Sequence, residues 1–200
     1  MLITFEGIDG SGKSTQIDLL KKFLIDNNKN VITLREPGGT YLAERIRKIL
    51  LNDKIDINPV TELLLFEAAR ADLTEKQIIP AIKEGKIVII DRYFDSTTAY
   101  QGFGRNLDLY LVQTINKFAT FNTIPDLTFY LKIPYNNSKE RRKSNSDRME
   151  RAVDDFSHRL IDGFNKIAED NPNRVKIIDA TQSINDVFTQ IKNIIINYID

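Results

Sequence analysis

The stretch that most restricts this chain is Gly7-Ile8-Asp9-Gly10-Ser11-Gly12-Lys13-Ser14-Thr15. Its spacing (Gly, four residues, Gly, Lys, then Ser) is that of a phosphate-binding loop. The flanks agree. Leu2 to Phe5 is a short apolar run that predicts a buried strand. Ile17, Leu20, Phe23 and Leu24 recur at helical spacing and predict a helix from Lys13 to about Asp26. A strand, a glycine-rich turn and a helix N-terminus make an anion site, because free N–H groups point at the ligand and the helix dipole favours negative charge. The loop backbone through Thr15 would cradle phosphates, Lys13 would reach the β- and γ-phosphates of ATP, and the Ser14 hydroxyl would ligate Mg²⁺.

Two hundred residues suit one domain, expected over 1–200. Lys plus Arg equals Asp plus Glu at 28 each, so no basic excess points to nucleic acid or a membrane surface as a partner. The absence of cysteine rules out a disulfide framework and a thiolate metal site, and permits a reducing compartment. Met1 leads directly into the first expected strand and no apolar run reaches membrane-spanning length, so a cytoplasmic protein is the expectation. His158, the single histidine, has no second histidine or thiolate to join it at a metal and reads as solvated or partly packed.

Further apolar runs predict strands at Val31 to Leu34, Ile87 to Ile90, Leu127 to Ile133 and Val175 to Ile178. Helical patterns fall between them. They cover Tyr41 to Leu51, then Pro59 to about Lys83 with a kink expected at Pro80, then Phe94 onward until Gly102 and Gly104, then Leu107 to Phe121. Another begins near Pro134 and helix resumes through Ala168, and the last covers Ile184 to Tyr198. The charge-dense segment from about 139 to 151 reads as a mobile lid. Strands alternating with helices predict an α/β fold, a five-stranded parallel sheet covered on both faces, with ligands at the carboxyl ends of the strands.

Asp91 ends the third expected strand, where a phosphate-loop enzyme holds Mg²⁺ directly or through water; a strand-end aspartate capping the next element is the alternative. Arg92 emerges beside it, and a guanidinium there suits bidentate phosphate binding.

Six separated motifs in order (GIDGSGKST at 7–15, REPGGT at 35–40, LLFEAARA at 64–71, DRYFDSTTAYQG at 91–102, DRME at 147–150 and IDATQS at 178–183) make nearly the whole chain resemble the thymidylate kinase family. That resemblance implies a P-loop NTPase three-layer α/β/α fold, transfer of phosphate from ATP to dTMP with Mg²⁺, and a homodimer. It also implies roles for particular residues. Phe66 would stack on the thymine ring and Arg70, one turn on, would hydrogen-bond a base carbonyl. Arg47 and Arg92 would meet the dTMP phosphate, Thr97 and Gln101 the polar edge of the base, and Tyr100 the sugar. Asp9 would contact the sugar 3′-hydroxyl or hydrogen-bond its own loop, and Glu36 belongs with the substrate-site residues. Thr181 and Gln182 follow the last strand, where adenine commonly lies.

One branch of the family carries its catalytic arginine in the phosphate loop, where this chain has Gly10; the other carries it in the lid. The resemblance is to the lid type, with Arg141, Arg142 and Arg148 as candidates; Lys143 stands about where some members have an arginine. A broader-specificity nucleoside monophosphate kinase is the alternative enzyme. A GTP-operated switch is disfavoured, because Asn116-Lys117-Phe118-Ala119 and Asn165-Lys166-Ile167-Ala168 both lack the aspartate of a guanine-reading motif.

Overall fold

Five apolar runs become strands: β1 Leu2–Glu6, β2 Val31–Arg35, β3 Ile87–Asp91, β4 Leu127–Lys132 and β5 Val175–Asp179. The computed structural model describes residues 1–52, 54–141 and 154–199. All strand pairings are parallel, in the order β2-β3-β1-β4-β5. β1 is therefore central, and its five residues are all buried.

The central strands β1 and β3 are buried along nearly their whole length because both of their faces are covered. Ile3 and Phe5 of β1, with Ile87 and Ile89 of β3, face a cluster that includes Leu20, Leu24, Phe164 and Ile191. Leu2 of β1, with Val88 and Ile90 of β3, faces the other way against Leu73, Ile78 and Tyr93. This two-residue alternation puts one helical layer on each side of the sheet.

The helices are α1 Lys13–Asp26, α2 Tyr41–Leu50, α3 Pro59–Leu73, α4 Ile79–Lys83, α5 Phe94–Thr97, α6 Leu109–Ala119, α7 Tyr135–Arg141, α8 Asp154–Asp170 and α9 Ile184–Ile199. Side chains cap several of them, among them Ser183, whose Oγ accepts from Asp186 N–H at α9. Thr40 accepts from Ala43 N–H at α2, Asn58 from Thr61 N–H at α3, and Asp108 from Leu111 N–H at α6. α3 and α4 form one continuous stretch joined by a wider π turn at Thr74–Ile78. The kink expected at Pro80 thus takes the form of a loosened turn just before it, where the missing proline N–H leaves the regular ladder incomplete. A second π turn, Thr98–Gly104, continues α5 and carries Tyr100 and Gln101. His158 is exposed, as read from the sequence. No helix among the described residues is long and apolar enough to cross a membrane. Of the expected lid, 142–151 lies outside the described residues, so Arg142, Lys143, Arg148 and the 147–150 motif do too.

Candidate active site

A cavity of about 780 Å³ opens at the carboxyl ends of the strands. Its wall runs from the β2 side, past the loop after β1, to the loop between β5 and α9. The loop after β1 leaves the strand through Gly7, whose φ is +134° and whose added Cβ would meet the Leu131 carbonyl oxygen at 2.7 Å. Gly12 enters α1 at φ +95°; no side chain caps α1, and nothing lies within 4 Å of where a Gly12 Cβ would stand. The first N–H groups of α1 are thus left for an anion. Lys13 is buried, donates from Nζ to the carbonyls of Gly7 (3.1 Å) and Ile8 (3.2 Å), and stands 3.6 Å from Asp9 Oδ1. Burial, followed by the Arg92 charge, lowers its pKa below the ordinary lysine value.

Beside the loop, Ser14 Oγ lies 3.5 Å from Asp91 Oδ2, while the buried Asp91 Oδ1 and Ser11 Oγ have no hydrogen-bond partner among the described residues. An orphaned carboxylate oxygen next to a hydroxyl fits a hard divalent cation that also takes phosphate oxygens and water. Among the described residues no cluster of three or more acidic or histidine side chains offers an all-protein cage.

Arg92 sits in the left-handed region at φ +67°. It pairs with Asp9, donates from Nη1 to Ser96 Oγ at 3.0 Å, and lies 5.2 Å over the Tyr100 ring. Underneath is Glu6, a residue the sequence reading passed over. Its carboxyl accepts from Tyr93 N–H (2.8 Å) and Ser96 Oγ (2.5 Å), and burial, with the Asp95 charge second, pushes its pKa up to about 8. The available signal was an acidic residue ending a buried strand, as Asp91 does on β3.

On the β2 side, Arg70 is fully buried on α3. It donates from Nε and Nη2 to Glu36 Oε2 at 2.8 and 2.6 Å and from Nη1 to Thr97 Oγ1 at 2.9 Å, and it pairs with Glu67. Burial works against both partners' charges. It pushes Glu36 up to about 7, with Arg70 opposing, while Glu36 and Glu67 keep Arg70 protonated. Half-buried Phe66 lines the same stretch of wall with Arg47, Tyr100 and Gln101. Arg47 Nη1 donates to the Pro37 carbonyl at 2.8 Å.

The cavity thus gathers Asp9, Gly10, Ser11, Gly12, Lys13, Ser14, Thr15, Glu36, Arg47, Phe66, Arg70, Asp91, Arg92, Thr97, Tyr100, Gln101, Arg141 and Gln182. Gly7 and Ile8 stand behind the wall, their carbonyls holding Lys13. Thr181 lies beside Gln182 in the β5–α9 loop, and its N–H and hydroxyl both donate to Asp179 Oδ1. Arg141 Nη1 donates to the Ala180 carbonyl at 2.9 Å, over the β5–α9 loop. Gln16, Arg35, Leu51, Ser96, Ile184 and Val187 also line the cavity. Ile184 and Val187 carried no separate signal, since each also fits the apolar pattern of α9.

The thymidylate kinase family model matches residues 5–191. A thymidylate kinase of Chlorobaculum tepidum is 48% identical over 96% of this chain and 94% of its own length. One from Thermoanaerobacter pseudethanolicus is 43% identical over 98% of both chains. The crystal structure of thymidylate kinase from Ehrlichia chaffeensis superposes with a TM-score of 0.81 at 37% identity, over 98% of this chain and 97% of that one. A phosphate loop, a strand-end carboxylate and an aromatic-arginine wall in one cavity thus meet a match along nearly the whole sequence, and the chain belongs to the thymidylate kinase family, the kinases that phosphorylate dTMP.

Proposed function

We propose that this chain transfers the γ-phosphoryl group of ATP to dTMP in line, with the residues around the cavity in the following roles. The observation that carries the reading is that one cavity holds both the phosphate loop and, on its β2 side, Phe66, Arg70, Thr97 and Gln101. The loop backbone and Lys13 bind the β- and γ-phosphates. Ser14 and Asp91 hold Mg²⁺, which when bound neutralises phosphate charge and orients the phosphates. Arg92 and Arg47 hold the dTMP phosphate. Its oxygen is the nucleophile and is ionised at neutral pH, so no general base is required. Tyr100 and Asp9 lie against the sugar, Phe66 stacks on the base, and Arg70, Thr97 and Gln101 read its polar edge. Glu36 keeps Arg70 in place. Gln182, with Thr181, bounds the adenine end, and Arg141 with the lid arginines Arg142 and Arg148 supplies positive charge to the transferring group. The work of the site is to bring two anions together and offset their repulsion by position and charge.

Exposed apolar side chains on three helices packed in succession (Leu42 and Ile49 of α2, Val60 and Leu64 of α3, Leu111 and Phe118 of α6) form the face at which two copies of the chain pair. Sedimentation velocity is expected to give a dimer. A cytoplasmic enzyme fits the cysteine-free composition.

The test is ADP release with ATP and Mg²⁺ across dTMP, dUMP, dCMP, dGMP and UMP. Strong preference for dTMP is the expected result. Comparable rates across the panel would leave the phosphoryl transfer standing and remove Phe66, Arg70, Thr97 and Gln101 from base recognition.

A further inference from the structure

Glu62 has no counterpart in the mechanism above, yet its side chain is fully buried on α3, a short distance from the base-reading wall. Its Oε1 accepts from Gln101 Nε2 at 2.9 Å and from Arg105 Nε at 3.2 Å, and its Oε2 accepts from Arg105 Nη2 at 3.3 Å. The Arg105 guanidinium is itself placed, lying 4.9 Å over the Phe156 ring, which packs edge-on against Tyr100. We propose that Glu62 is a specificity-determining positioning residue: it locks the Gln101 side-chain amide in the orientation that accepts the N3–H of thymine and rejects cytosine. The inference rests on the reading that Gln101 meets the base.

The argument turns on the two unlike ends of a primary amide, one a donor and one an acceptor. Both Glu62 oxygens are committed as acceptors to Arg105, so what faces the Gln101 amide is an acceptor. Only the amide nitrogen can face it; turning the carbonyl there would set two acceptors together in a buried site. With Nε2 tied to Glu62, Gln101 has its carbonyl oxygen and one remaining N–H for the cavity it lines. That pair matches an N–H beside a carbonyl, as in thymine and uracil. Cytosine presents the reverse, a ring-nitrogen acceptor beside an amino donor, and would require the amide to flip against Glu62. Arg70, a donor without acceptors, also disfavours the cytosine amino group, so Glu62 governs only part of the discrimination.

Glu62→Gln preserves shape and can either accept from or donate to Gln101, which frees the amide to flip. The experiment compares kcat/KM for dTMP, dUMP and dCMP in the parent and in Glu62→Gln, with dCMP affinity by calorimetry where turnover is slow. The expected result is a fall of about tenfold or more in the dTMP-over-dCMP ratio, the size of one mispaired buried hydrogen bond. The dTMP-over-dUMP ratio should hold, because those bases differ only by a methyl group. A loss shared equally by all three substrates gives Glu62 a structural role only and overturns the inference. Gln101→Ala separates the two readings. If it collapses the dTMP-over-dCMP ratio while Glu62→Gln leaves it intact, the role of Glu62 alone is overturned. If neither variant moves the ratio, base reading by Gln101 falls with it. Should Glu62→Gln fail to fold, the Gln101 side-chain amide in the parent enzyme decides by NMR. One slowly exchanging amide proton supports the lock, and two freely exchanging protons overturn it.

Discussion

Replacing Arg70 with methionine is the most demanding test of the buried charge cluster on the β2 side of the cavity. Arg70 is 2% exposed, and its partners Glu36 and Glu67 are 6% and 4% exposed. The variant removes the only cation among their hydrogen-bond partners in the described residues and leaves two carboxyl groups in low dielectric. Breaking a buried ion pair from one side destabilises by about 3–5 kcal/mol. Two orphaned acids place Arg70→Met toward the upper end, a loss of about 4–5 kcal/mol and a fall in Tm of roughly 10 °C or more. The loss depends on pH in a definite direction. Burial already holds the Glu36 carboxyl near 7 with Arg70 opposing, and without Arg70 it rises further. A carboxyl whose folded pKa lies above its unfolded value contributes stability below about pH 4.5, and that contribution disappears as pH rises through the folded pKa. The deficit of Arg70→Met should therefore be largest at pH 8 and shrink toward pH 5, where the orphaned Glu36 carboxyl takes up a proton. Urea unfolding followed by circular dichroism at both pH values measures it. A loss under about 1 kcal/mol at pH 8, or an equal loss at pH 5, would refute the reasoning.

Lys13→Ala should leave the fold intact and lower turnover by roughly a thousandfold or more, since the loop loses its buried cation; normal turnover would remove the loop from the chemistry. Gly7→Ala forces a Cβ to 2.7 Å from the Leu131 carbonyl oxygen at a φ of +134°, and should destabilise by about 2–3 kcal/mol in urea titrations. An unchanged midpoint would mean that the junction of β1 with its loop is not tightly packed. Glu6, raised to about 8 by burial and then by Asp95, contributes stability below about pH 4.5 that is lost as pH climbs through 8. Glu6→Gln has no such titration, so its stability curve should be flatter and should gain on the parent between pH 6 and 9; parallel curves would show that Glu6 does not titrate there.

How much of this was legible beforehand varies residue by residue. The loop at 7–15, the strand-end Asp91 with Arg92, and the Phe66–Arg70 pair four residues apart all show in short windows of sequence, and the fold brings them to one cavity wall except for Gly7 and Ile8, which stand just behind it. Arg142 and Arg148 lie outside the described residues. Thr181 occupies the expected loop, but the strand-end Asp179 captures its side chain, a contact that residue order does not announce. Glu6 and Glu62 escaped notice because acidic residues are ordinary in sequence and distinctive only when buried; their partners lie 39 to 90 residues away. The π turns were likewise hidden, since they record how a helix accommodates Pro80 and the packing of 98–104 rather than any local composition.

By itself the sequence determined what local chemistry dictates: alternating strands and helices, apolar runs for strands covered on both faces, glycines where the loop must turn, and the lysine and hydroxyl that follow them. These follow from backbone sterics and from a periodicity that a few residues are enough to express. The tertiary structure alone decided the strand order β2-β3-β1-β4-β5, which sets Asp91 next to the loop after β1, and the burial that ties Glu62 to Gln101 and Glu36 to Arg70. Those properties arise from long-range packing and desolvation: the energy of a buried charge depends on which groups surround it, and only the folded chain assembles that set.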